Sequence, residues 1–64
     1  MKIYFCVPNP ELVKIKYLPR KGEIVFYANE KWGVTDVCHW MNESKITINL
    51  CPERYLNKDQ LSNI

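Results

Sequence analysis

Ile46-Thr47-Ile48-Asn49-Leu50 alternates apolar and polar residues without a break. Successive side chains on an extended backbone point to opposite faces, so this stretch reads as a strand with one face in a core and one in water. Working outward, four more extended segments emerge, separated by strong punctuation. Polar residues 42–45 form a hairpin loop, preceded by a strand over 32–41. Within that strand Val34 and Val37 lie three apart rather than two, which predicts a β-bulge or bend across 33–36. Residues 29–31 turn the chain out of a β-branched and aromatic strand at 23–28.

Further upstream, Pro19-Arg20-Lys21-Gly22 has reverse-turn chemistry, with proline fixing φ early and glycine free to take positive φ later. Residues 12–18 alternate, with Val13, Ile15 and Tyr17 on one face and Lys14 and Lys16 on the other. Residues 2–7 alternate as well, until Pro8-Asn9-Pro10 removes backbone donors and ends the strand. Five short strands at this spacing predict a mainly β domain: a five-stranded antiparallel small barrel or curled sheet, SH3-like or OB-like. Closure would remove edge strands, and an open sheet would invite pairing with a second copy. The barrel domain covers residues 1–52. After Pro52 the rhythm breaks, and Asn57 with Gln60 resembles a capping box, so 53–64 reads as a C-terminal helical turn or tail.

The segments 18–25, 32–40 and 46–50 together resemble a loose class of small phage-encoded β-barrel proteins. The shared pattern is a Pro-basic-Gly turn at Pro19-Arg20-Lys21-Gly22 and a V-x-x-V-x-H strand at Val34 to His39, followed by an alternating final strand. The resemblance implies a phage or prophage accessory protein and carries no catalytic residues across.

Composition bounds the function. The 64 residues make one domain, with 47% apolar and 25% charged residues and only two glycines, the balance of a folding chain. The apolar run at 3–7 is far shorter than the roughly 18 residues of a membrane span. No secretory signal is visible, so the expected compartment is the cytoplasm, that of the host cell if the chain is phage-encoded. Cys6, Cys38 and Cys51 are odd in number and widely spaced, a poor disulfide framework.

A zinc site would draw on these cysteines and His39, but Cys38 and His39 are adjacent and diverge on a regular strand. Nucleophilic catalysis lacks an orienting group, a recognisable motif and a cleft. The expectation is therefore a non-enzymatic protein without metal or cofactor. Four tyrosines, two tryptophans and two phenylalanines are more rings than so small a core hides. Exposed rings favour protein contacts, so the first expectation is a binding module that inhibits or sequesters a host component, with self-association possible.

The second expectation rests on charge. Residues 1–21 carry five basic residues against Glu11, a balance of +4, whereas the remainder balances to −2. Lys14, Lys16, Arg20 and Lys21, beside rings such as Tyr27, Trp32 and Trp40, would suit a nucleotide-like anion or single-stranded nucleic acid. Tyr4 is a further candidate for stacking.

Overall fold

The computed structural model describes residues 1–56. Its strands are β1 (Lys2–Cys6), β2 (Pro10–Val13), β3 (Ile24–Tyr27), β4 (Glu30–Trp40) and β5 (Lys45–Pro52). They form one five-stranded sheet in the order β2-β1-β5-β4-β3, curled into a half-barrel. Short 3₁₀ turns at Met41–Glu43 and Glu53–Tyr55 follow β4 and β5. The second lies at the start of 53–64, the stretch read as a helical turn or tail, and the capping pair Asn57 and Gln60 lies outside the described residues. Among the described residues, no helix is long and apolar enough to cross a membrane.

The mainly β, curled five-stranded sheet follows the alternation, but the pairing is mixed rather than wholly antiparallel. β1 runs parallel to β5, with Ile3 opposite Ile46 and Phe5 opposite Ile48, while the other three ladders are antiparallel. Alternation reports which face a residue takes and nothing about strand direction. The parallel ladder forms because residues 7–44 return the chain to the side of β1 that β2 leaves free.

Register sorts the side chains. Ile3, Phe5, Ile46, Ile48 and Val37 share the concave face, and Val34 joins them beyond the bulge. Phe5, Val34, Ile46 and Ile48 are buried there, with Ile15, Leu18, Val25, Tyr27 and Leu50 packed around them. The bulge falls within the expected stretch. Val34 pairs with Leu50 and Asp36 with Asn49, leaving Thr35 as the extra residue, its hydroxyl donating to the Asn49 carbonyl at 3.2 Å. That insertion resets the alternation so that both valines reach the core, and it adds local twist that helps the sheet curl.

Two of the differences from the expected boundaries bear on the site. β2 ends at Val13 rather than continuing to residue 18, so Lys14 and Lys16 are not on a strand face but on a connecting segment. The β1–β2 ladder stops at Ile3 opposite Val13, one residue short of the start of β1, as the chain leaves to cross from the β2 edge to the β3 edge. The second difference is the β3–β4 turn, which is tight: Ala28 and Asn29 take φ of 52° and 61°, the pair of positive values of a type I′ hairpin.

The Pro-basic-Gly segment turns as its residues demand. The Glu23 amide donates to the Arg20 carbonyl at 3.0 Å and Gly22 takes φ of 95°. Positive φ at the third position marks a type II turn, where a Cβ is disfavoured. We expect Gly22→Ala to cost about 1 kcal/mol, measurable as a lowered urea midpoint with unchanged slope.

Candidate functional site

Because the sheet is curled but not closed, its two edge strands, β2 and β3, face each other across an open seam. The connecting segment after Val13 runs beside that seam. Phe5, Leu12, Val13, Ile15, Pro19 and β3 line a groove of about 730 Å³ there, with Lys14 and Lys16 on the same wall. At its floor the Phe5 and Tyr27 rings meet edge to face, centroids 4.9 Å apart. The Tyr27 hydroxyl reaches across to a Glu11 carboxylate oxygen at 3.5 Å, a long contact that joins the two edges. Desolvation, then the Glu11 charge and this contact, raises the Tyr27 phenol above its usual value of 10.0. The phenol therefore remains a proton donor throughout the neutral range.

The rim of the groove is apolar and open to water. Phe26 is 72% exposed, Tyr17 66% and Leu12 60%, and Ile24 is also exposed. Large side chains left out of water-excluding contacts and gathered at one place are the informative kind of exposed hydrophobics. The backbone adds to this. In a two-residue hairpin the closing pair, Tyr27 and Glu30, exchanges hydrogen bonds, and the alternate pair Val25 and Trp32 does the same. Ile24 and Phe26 consequently direct their N–H and C=O groups away from β4, into the seam.

Lys14, Lys16 and Tyr27 line the same groove. Arg20 and Lys21 are exposed on the neighbouring turn, where Arg20 lines a smaller hollow with Tyr17, Leu18 and Glu23. The tryptophans do not join them. Trp32 is half-buried on the concave side, its indole N–H donating to the Tyr27 carbonyl at 2.7 Å, so it ties down the hairpin. Trp40 is exposed, at the far end of β4. The apolar rim of Leu12, Tyr17 and Phe26 was missed in the sequence, because Leu12 and Phe26 look like ordinary strand residues until the sheet is found to be open.

Cys38 and His39 project to opposite faces, opposite Thr47 and Ile46 respectively. All three cysteines are free thiols. Among the described residues no group of three or more His, Cys, Asp or Glu side chains is placed to hold a metal ion. Compared with protein-family models, curated proteins and solved structures, the chain matches none.

Proposed function

We propose that this chain is a small binding module whose open seam takes an extended segment of a partner protein. The observation that supports the reading is the coincidence of exposed Leu12, Tyr17 and Phe26 with the free backbone edge of β3. An added strand would bond to the Ile24 and Phe26 backbone, and its alternate side chains would cover the exposed rim. Lys14 and Lys16 on the wall, with Arg20 and Lys21 close by, favour a segment that is apolar with acidic flanks. The resemblance to small phage-encoded proteins makes a host protein, inhibited by capture of such a segment, the partner we favour.

A panel of apolar peptides with acidic or basic flanks tests the reading by fluorescence anisotropy. The acidic-flanked peptides should bind, Phe26→Lys should weaken them by about tenfold or more, and methylating alternate peptide nitrogens should abolish binding. No affinity for any extended peptide, or affinity indifferent to Phe26→Lys and to backbone methylation, would refute it.

A further inference from the structure

We infer that the convex face of the sheet carries a separate site, a stacking platform for single-stranded nucleic acid built from Tyr4, Trp40, Lys2 and Lys45. The face is defined by register. Lys2, Lys45 and Trp40 lie in one row across β1, β5 and β4, and Tyr4, Thr47 and Cys38 lie in the next. All six point away from the concave core, because their strand neighbours Ile3, Ile46 and His39 take the other side.

Three features of this face point to a nucleotide chain. Trp40 is 44% exposed, yet its ring is held: the indole N–H donates to the Thr47 hydroxyl at 2.9 Å and the Lys45 ammonium lies 5.4 Å from the ring centroid. A positioned, half-open indole is a surface on which any base can stack. Lys2 and Lys45 are directly opposite across the β1–β5 ladder, where like charges are unfavourable unless an anion compensates. The Glu43 carboxylate, 3.7 Å from the Lys45 ammonium, compensates only in part, since Glu43 is solvent-exposed and the pair is long. A phosphate beside Trp40 would complete the neutralisation.

Beyond Trp40 lies an open hollow of about 320 Å³ lined by His39, Trp40, Met41, Asn42 and Glu43, where the Asn42 amide could hydrogen-bond a base edge. Tyr4 sits two strands over and two residues along from Trp40. Strand spacing and rise put the two rings on the order of 12 Å apart, the reach of about two nucleotides in an extended strand. A shallow face of this kind encloses no free nucleotide, so the ligand is a strand.

Anisotropy with a labelled short oligothymidylate at low salt tests the site. Binding should weaken steeply as salt rises. Trp40→Ala should reduce affinity about tenfold or more, while Trp40→Phe, which keeps a ring, stays within a few fold. Replacing Lys2 and Lys45 together by Ala should lower the slope of log affinity against log salt by about 1.4. Glu43→Gln, which removes the competing carboxylate, should tighten binding. Phe26→Ala, on the seam and without a change of charge, should leave this binding unchanged. Absence of low-salt binding would overturn the proposal. So would affinity that survives both the Trp40→Ala and the double lysine replacement, or that falls equally in Trp40→Phe.

Discussion

Ile48→Ala is expected to unfold a large share of the molecules under mild conditions. Ile48 is fully buried, and only three other side chains, Phe5, Val34 and Ile46, complete the buried core of the described residues. Truncating a buried isoleucine costs about 2–5 kcal/mol, depending on how far the cavity collapses. A core in a chain this small rarely supplies more than about 3–5 kcal/mol of net stability. The loss is thus comparable to the whole. Thermal melting followed by circular dichroism should show the midpoint falling by at least about 8 °C, on a scale of about 4–8 °C per kcal/mol. Leu12→Ala, at an exposed position, should stay within about 0.5 kcal/mol of the parent. Equal effects at the two positions would contradict the packing described.

Deleting a single residue from β4 should have opposite consequences four residues apart or less. Removal of Cys38 from the regular part of the strand moves His39 and Trp40 to the faces opposite those they now occupy, or else displaces Val37 and the segment before it. Either way the ladder with β5 loses its inside–outside agreement, and the deletion should abolish cooperative melting. Thr35 is different because it is the extra residue of the bulge. With Thr35 removed, Val34 and Asp36 become consecutive and still oppose Leu50 and Asn49, so every other side chain keeps its face. That variant should fold and melt cooperatively, a few degrees lower for want of the hydroxyl bond to Asn49. Its sheet should also be flatter, since the bulge contributes twist. A flatter sheet parts β2 from β3, so the variant should lose peptide binding at the seam while staying folded. Heteronuclear NMR of both deletions would read fold and seam together.

Much of this architecture was legible in local sequence. The run from Ile46 to Leu50, the irregular interval from Val34 to Val37, and the Gly22 turn are all decided by periods and by φ preferences within a few residues. What was not legible is long-range. The parallel β1–β5 ladder depends on where the chain re-enters the sheet, and the short β2 depends on where the chain leaves to cross to the far edge. Of the groove's lining, Lys14, Lys16 and Tyr27 were candidates from charge and ring content. Trp32 and Trp40 were misplaced beside them, because a ring's neighbours across a sheet are set by register, not by sequence distance. Leu12 and Phe26 carried no signal until the edges of the sheet were known.

The connection from β2 to β3 has a practical corollary. It is the single covalent link between a piece holding β1 and β2 and a piece holding β3, β4 and β5, and the β1–β5 ladder is the sheet's sole seam of pairing between those pieces. Cleavage after exposed Lys21 would thus divide the molecule into two complementing fragments, each contributing one wall of the groove. Reassembly of such a split pair, fused to the halves of a reporter, would report occupancy of the groove in a living cell.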